Sequence, residues 1–315
     1  MTPERRATLS VACAAVLFGS TFLLTKNGVE DASPSAFLAA RFLGGSIAIL
    51  GVAVARGRRH YPSRGIAGPA VACGVVLSAG YALQTIGLQY TASSTSAFIT
   101  YLLVIFVALL AAILHRAVPA PTVLAGLVVA TAGMWLLTGG TGGAGDAAGF
   151  GRGEVLTLGC ALAYAVHILL LDRYSRRFDT AWFTGLQLLV VGLLCLGPGF
   201  AQGGYSFSAS TWFAAGATGL GASAIALTLQ IGGQRRLGPT RTAVLLMLEP
   251  VTAAVLGYLV GERLGLAGGV GASLILVGIG LAEARPSPGG PTSDPGMRET
   301  PVNTGHSGVS STSDL

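Results

Sequence analysis

The feature that most constrains this chain is a series of apolar runs, each long enough to cross a membrane as a helix. A transmembrane helix needs about 20 mainly apolar residues. Charges, prolines and glycine clusters separate ten such runs, which lie at 8–25, 35–55, 67–89, 93–114, 120–138, 154–172, 180–200, 211–231, 242–260 and 265–284. Only 10% of the residues are charged, which is too few to cover a water-exposed surface. The sequence therefore predicts an all-α integral membrane protein with ten transmembrane helices, and it excludes an ordinary soluble enzyme.

Lysine and arginine residues mark one side of the membrane. Fifteen of the 19 fall at the termini or on every second connection, three fall on the other connections, and Arg41 lies within a run. Cytoplasmic connections are enriched in Lys and Arg, so this alternation predicts that both termini are cytoplasmic. Basic residues scattered in this way do not form the patch that binds nucleic acid. We expect a multi-pass protein of the plasma or inner membrane, surrounded by the lipid bilayer.

The sequence also repeats itself at an offset of 146 residues. Phe37 aligns with Phe183, and Gln84 aligns with Gln230. The offset covers five predicted helices, an odd number, so the second copy enters the membrane from the opposite side. Two inverted repeats of five helices are an architecture typical of secondary transporters.

Composition divides the chain into four segments. The first five-helix repeat covers 1–138, and the second covers 154–284. Between them, 139–153 is rich in glycine and predicts a flexible linker. The last segment, 285–315, is rich in Pro, Gly, Ser and Thr and predicts a disordered cytoplasmic tail.

Short motifs occur at fixed places in the predicted helices. They read FGSTFLLTK at 18–26, ARF at 40–42, QTIGLQYT at 84–91, AFI at 97–99, LEPV at 248–251 and GERL at 261–264. Their order and spacing resemble the EamA-type branch of the drug/metabolite transporter superfamily over residues 8–284. The resemblance implies ten helices in two repeats and a carrier for small organic solutes, often an exporter of amino acids or related metabolites. It also implies a central cavity lined chiefly by helices one, three, four, six, eight and nine.

The sharpest functional candidate is Glu249, followed by Pro250 in the ninth run. Seven residues at 1.5 Å each place this carboxyl group about 10 Å from the cytoplasmic face. A carboxylate at that depth has to be paired, hydrated or protonated, and the proline predicts a distorted helix. We interpret the pair as a coupling or gating element, with proton coupling as one role. The alternative is a structural carboxyl group that hydrogen-bonds a neighbouring helix.

Arg41 completes the coupling and gating candidates. It lies about 10 Å below the outer boundary, which leaves about 10 Å between it and Glu249 in a core of about 30 Å. That depth predicts no direct salt bridge between the two. Its guanidinium either extends outward towards Glu30 or Asp31 or binds a substrate carboxylate.

Polar and aromatic side chains at membrane depth are the candidate lining of a substrate cavity. An apolar cavity with a few such groups suits an amphipathic organic solute. The candidates are Thr21, Tyr81, Gln84, Tyr101, Tyr164, His167 and Gln230. Each has an alternative role in hydrogen bonding between helices, and for His167 this is the role of a neutral donor.

Three functional classes remain, and the residues favour one of them. The histidines are dispersed and the four cysteines isolated, so we predict no enzyme, cofactor or metal site. The glycine-rich segment lacks the Gly-Lys-Ser/Thr ending of a phosphate-binding loop, so transport is not driven by ATP on this chain. The sequence predicts a secondary transporter that exports a small organic metabolite, amino acid-like or drug-like, by alternating access. The alternatives are a membrane channel or scaffold and a lipid-modifying membrane enzyme; substrate and oligomeric state stay open.

Overall fold

The computed structural model of the chain describes residues 1–28, 32–56, 65–91, 93–138, 151–259 and 265–283, with only the backbone at 21–28, 93 and 94. This part of the chain is helical and contains no strand. The first half forms α1 (Pro3–Gly28), α2 (Pro34–Ala55), α3 (Ala67–Gly87), α4 (Ser93–Tyr101), α5 (Leu103–His115) and α6 (Pro121–Leu137). The predicted tail, 285–315, and most of the predicted linker lie outside the described residues.

The second half forms the same series of helices with two additions. It contains α7 (Arg152–Tyr174), α8 (Thr180–Ala201), α9 (Ala209–Thr218), α10 (Leu227–Leu237), α11 (Pro239–Leu246), α12 (Leu248–Leu259) and α13 (Leu266–Glu283). A short 3₁₀ turn, Ser175–Arg177, follows α7, and a π-helical segment, Gly219–Ala226, joins α9 to α10. We call the latter the π segment.

Eight helical stretches of the described chain are long and apolar enough to cross a membrane. They are Pro34–Ala55, Ala67–Gly87, Thr95–His115, Arg152–Arg177, Thr180–Ala201, Ala209–Leu237, Pro239–Leu259 and Leu266–Glu283. The other two predicted spans correspond to α1, which carries Glu4, Arg5 and Arg6 near its start, and to α6, which is apolar but 17 residues long. The protein is therefore a multi-pass membrane protein.

The second helix of each half begins with the same device. Ser33 caps α2 by accepting from the Ala36 amide at 3.3 Å. Asp179, 146 residues later, caps α8 by accepting from the amide of Ala181 at 3.0 Å and that of Trp182 at 3.2 Å. A side-chain oxygen at this position satisfies amides that the first turn leaves unpaired. The offset found in the sequence thus fixes the same helix start in both halves.

The fourth predicted helix of each half is broken in its middle. Leu102 separates α4 from α5, and Met247 separates α11 from α12. Pro250 contributes to the second break, because it has no N–H to donate to the carbonyl of Leu246. The position 146 residues earlier is Val104, so the first break does not depend on a proline. Both breaks therefore place helix ends inside the bundle.

The second and the fifth helices of the two halves pack against their counterparts in antiparallel pairs. In the pair of α2 and α8, Gly192 packs against Leu43 and Gly185 packs against Leu50. Residue numbers rise along one helix as they fall along the other, which fixes the antiparallel direction. The pair of α6 and α13 behaves in the same way, with Gly126 against Gly278 and Gly133 against Gly271.

Two large clusters of buried apolar side chains fill most of the bundle, and a small third one is formed by Phe37, Ala214 and Ala215. One is centred on α5, α7 and α11, and the other on α3, α8 and α10. Phe18 and Tyr164 pack against both clusters. The two clusters therefore meet at these two side chains.

Candidate functional site

An aromatic series occupies the middle of the bundle. The rings of Phe42 and Tyr81 are 5.0 Å apart, and those of Tyr81 and Tyr164 are 5.6 Å apart. Both pairs are edge-to-face, an arrangement that the ring quadrupoles favour. The three side chains come from α2, α3 and α7. Together with the residues described next, they form what we call the central cluster: Arg41, Phe42, Tyr81, Gln84, Tyr101, Tyr164 and Glu249.

Arg41 joins the central cluster from α2. Its guanidinium carbon lies 5.2 Å from the Phe42 ring centroid and 6.0 Å from that of Tyr81, within the range of cation–π attraction. Its Nε donates to the Ser223 hydroxyl at 3.0 Å, and Arg41 is 8% exposed. The structure thus places this guanidinium against the interior aromatic rings. Glu30 and Asp31, the partners of the outward alternative, lie outside the described residues.

Ser223 belongs to the π segment, which sequence reasoning did not predict. A Cβ added at Gly219 would meet the Arg41 carbonyl oxygen, and one at Gly45 would lie 2.6 Å from that of Gly219. This close approach of α2 brings Arg41 within reach of Ser223. Short π segments inside helices occur frequently at functional sites. The only signal in the sequence is the run of small residues at 221–224.

Gln84 links three helices beside the aromatic series. Its Oε1 accepts from the Tyr164 hydroxyl at 3.3 Å, and its Nε2 donates to the Thr100 hydroxyl at 3.5 Å. The bonds connect α3 to α7 and to α4. Thr100 is buried, and the sequence analysis did not select it.

Glu249 lies at the broken helix on the other side of the cluster. It is the second residue of α12, and the hydroxyl of Tyr101, the last residue of α4, is positioned to donate to its carboxyl group. A Cβ at Gly19 would lie 2.5 Å from the Glu249 carbonyl oxygen, so α1 also passes close by. The two helix breaks therefore bring their ends together at one carboxyl group.

Arg41 and Glu249 bring a basic and an acidic side chain to the same cluster. Among the ion pairs of the described residues, none joins Arg41 directly to Glu249. The guanidinium and the carboxyl group therefore each lie beside tyrosine side chains without forming an ion pair with one another.

The structure brings together four of the seven predicted cavity residues, namely Tyr81, Gln84, Tyr101 and Tyr164. His167 instead pairs with Gln187 at 2.9 Å, a buried contact between α7 and α8. Gln230 is buried on α10, which packs against α1. Thr21 lies in the stretch of α1 where only the backbone is described.

A second polar cluster lies at one end of the bundle. Arg241 contacts Glu283 through Nε at 3.0 Å and through Nη2 at 2.6 Å, and its Nη1 contacts Glu4 at 2.6 Å. The Thr8 hydroxyl donates to Glu283 at 3.0 Å. This network ties the starts of α1 and α11 to the end of α13. The sequence placed Arg241 among the cytoplasmic charges and gave no sign that it is 7% exposed and paired.

One protein family matches both halves of the chain. The EamA-like transporter family matches this chain over residues 5–139 and again over 151–283. The chain belongs to the EamA-like transporter family. The resemblance seen in the sequence motifs is thereby confirmed, and the description of the family is that of transporters. In the part of the transporter that the structure describes, no three His, Cys, Asp or Glu side chains are grouped to hold a metal ion.

Individual relatives carry the same general description. An uncharacterized transporter of Archaeoglobus fulgidus is 27% identical over 188 residues, which are 60% of this EamA-like chain and 56% of that protein. The uncharacterized transporter YvbV of Bacillus subtilis is 26% identical over 67% of this chain and 68% of its own length. A second uncharacterized transporter of Archaeoglobus fulgidus is 25% identical over 87% and 94%.

A solved structure shares the fold. A crystal structure described only as that of a protein superposes on this EamA-like transporter with a TM-score of 0.76 and 23% identity. The superposition covers 88% of this chain and 96% of the other.

Proposed function

We propose that this protein is a secondary transporter that exports a small organic metabolite, amino acid-like or drug-like, through the central cluster. The observation that carries the proposal is the placement of Arg41 and Glu249 on one aromatic cluster, beside two broken helices. A carboxylate of the solute would meet the guanidinium, and a cationic group would meet the carboxyl group. Tyr81 and Tyr164 would contact its apolar part, as aromatic walls do in ligand sites.

Alternating access would use two inverted repeats of five membrane-crossing helices each. The first repeat would cover 1–138, and the second would cover 154–284. The linker between them would be 139–153, and the cytoplasmic tail would be 285–315. Several observations support this division. The bounds of α2 and α8 are offset by 146 residues. The equivalent helices α2 and α8 run antiparallel, as do α6 and α13, and the family matches the chain in two segments.

Glu249 and Pro250 would couple transport to protons at the break between α11 and α12. A carboxyl group that changes protonation alters the charge beside the solute, and a helix lacking one backbone bond bends there at low cost. Both termini would face the cytoplasm of a plasma or inner membrane, following the distribution of basic residues.

Counterflow in proteoliposomes tests the proposal. A carrier takes up labelled solute faster when the same unlabelled solute is loaded inside, whereas a channel does not distinguish loaded from empty vesicles. The probes are radiolabelled amino acids, tested one at a time. We expect accelerated uptake for at least one of them, reduced by Arg41→Gln and unchanged by Arg177→Gln, which removes an exposed charge far from the cluster. A probe that enters loaded and empty vesicles at the same rate, and faster than it enters vesicles without the protein, would contradict the carrier mechanism.

A further inference from the structure

A cavity lies outside the central cluster, between the start of α1 and the end of α10. Its volume is about 330 Å³, and Arg6, Ser10, Gly232, Gly233 and Arg236 contribute to its wall. The two arginines come from different helices and border the same space. The cavity opens at the surface, at the end of the bundle that carries the Arg241 network.

The geometry of the two helices shapes this cavity. A Cβ at Gly233 would lie 2.6 Å from the Ala7 carbonyl oxygen, so α1 and α10 touch at its floor. A Cβ at Gly232 would meet nothing within 4 Å, so the backbone there faces open space. Ser10 fixes the helix pair by donating to the Leu229 carbonyl at 3.1 Å.

The cavity keeps an uncompensated positive charge. Within the described residues, Arg6 and Arg236 are exposed and form no ion pair. The carboxylate of Glu4, the acidic residue nearest to Arg6 in the sequence, is bound to Arg241 at 2.6 Å. Arg235 is directed elsewhere, because its Nη2 donates to the Phe178 carbonyl at 2.8 Å.

We propose that this cavity binds the phosphate group of an anionic phospholipid. Guanidinium groups match phosphate oxygens in charge and in the geometry of paired N–H donors. Basic pockets between membrane helices on the cytoplasmic side bind anionic lipid head groups, and the proposed orientation puts this end of the bundle at that surface. Leu9, next to Ser10, is 54% exposed and offers apolar surface to an acyl chain. The inference uses the proposed orientation and is independent of the transported solute.

The test measures lipid binding to the purified full-length protein in a neutral detergent. The melting temperature is followed while short-chain phosphatidylglycerol, short-chain phosphatidylcholine or inorganic phosphate is added. We expect phosphatidylglycerol alone to raise the melting temperature in a saturable way. In the double variant Arg6→Gln with Arg236→Gln, the midpoint of that titration should rise by about tenfold or more, because each basic residue adds to the attraction of anionic lipid.

The control is the double variant Arg5→Gln with Arg177→Gln, which removes the same charge from exposed residues that do not border the cavity. It should bind phosphatidylglycerol like the wild type. Equal weakening in both double variants, or equal stabilisation by phosphatidylcholine, would overturn the proposal. If inorganic phosphate stabilises the protein with the same midpoint as phosphatidylglycerol, the cavity binds a free anion, and the lipid assignment is overturned.

Discussion

At the scale of single residues, the charges within the bundle fall into two groups with different surroundings. Arg41 and Glu249 meet aromatic rings, hydroxyl groups and broken helices. Arg241 instead meets two carboxylates that satisfy its guanidinium from both sides. A charge removed from water is costly unless it is paired. The first group therefore has interactions left to offer to a solute, whereas the second group stabilises the protein itself.

The first prediction concerns Glu249. Glutamine is nearly isosteric and keeps an oxygen that can accept from Tyr101, so Glu249→Gln should preserve the fold and the expression level. The variant has no carboxyl proton to exchange, so its transport rate should depend on pH much less than that of the wild type. The measurement is transport rate against pH for both proteins, reconstituted at equal density.

Glu249→Leu provides the matched control for structure. Leucine has a similar size but leaves the Tyr101 hydroxyl without this acceptor, which costs about 1–3 kcal/mol when the hydroxyl is buried. We expect lower expression and a lower melting temperature for this variant. If wild type and Glu249→Gln give parallel pH curves, the coupling role is wrong, and Glu249 with Pro250 is a packing and hinge element.

The second prediction concerns the Arg241 network. Glu283→Gln removes the carboxylate that contacts Arg241 through two nitrogen atoms, and the arginine side chain is only 8% exposed. Leaving a buried guanidinium partly unpaired should cost about 3 kcal/mol or more. Glu4→Gln breaks the contact to a carboxylate that is 43% exposed, which should cost about 1 kcal/mol or less. Thermal melting in detergent should rank the variants in that order, and equal melting temperatures would contradict it.

At the scale of helices, glycine positions decide how closely the halves pack. In membranes the lipid tails are as apolar as the side chains, so close approach and good packing drive helix association. The pair of α6 and α13 illustrates this, with glycines of one helix facing glycines of the other at two levels. Larger residues at these levels would push the helices apart.

The third prediction tests that contact with two glycines of α13. A Cβ in Gly278→Ala would lie 2.6 Å from the Gly126 carbonyl oxygen, and backbone cannot yield as a side chain does. Overpacking of this kind costs about 1–3 kcal/mol. In Gly280→Ala the added Cβ meets nothing within 4 Å, so the variant should match the wild type or exceed its stability slightly through helix propensity. Melting temperatures that fall equally in both variants would contradict the packing argument.

The helices themselves could largely be predicted from the sequence, because hydrophobic length and helix caps are local properties. The offset of 146 residues already aligned Gln84 with Gln230 and agrees with the helix starts at Ser33 and Asp179. The partners of buried polar groups could not be predicted in this way. Ser223 binds Arg41 only because the π segment packs against α2, and Thr100 binds Gln84 only because α4 packs against α3. The sequence alone suggests that Arg241 is a surface charge, whereas in the structure residues of α1 and α13 pair with it.

At the scale of the whole molecule, the proposed inversion requires that equivalent positions of the two halves face opposite sides of the membrane. Tyr90 and Arg236 are 146 residues apart, and both are exposed at helix ends in the described structure. The proposed orientation puts Tyr90 outside, after the third crossing, and Arg236 inside, after the eighth. Parallel repeats would put both on one side. The pair therefore separates the two architectures with two substitutions.

The fourth prediction is that Tyr90→Cys and Arg236→Cys differ in their access to a membrane-impermeant maleimide. Both are made in a chain with Cys13→Ala and Cys195→Ala, since Cys73 and Cys160 are buried. In intact cells the reagent should label Tyr90→Cys and leave Arg236→Cys unlabelled. After permeabilisation both should react, which shows that Arg236→Cys is accessible and was protected only by the membrane. Labelling of both variants in intact cells, or of neither, would contradict the inverted arrangement. The reverse pattern would keep the inversion and place both termini outside, against the distribution of lysine and arginine.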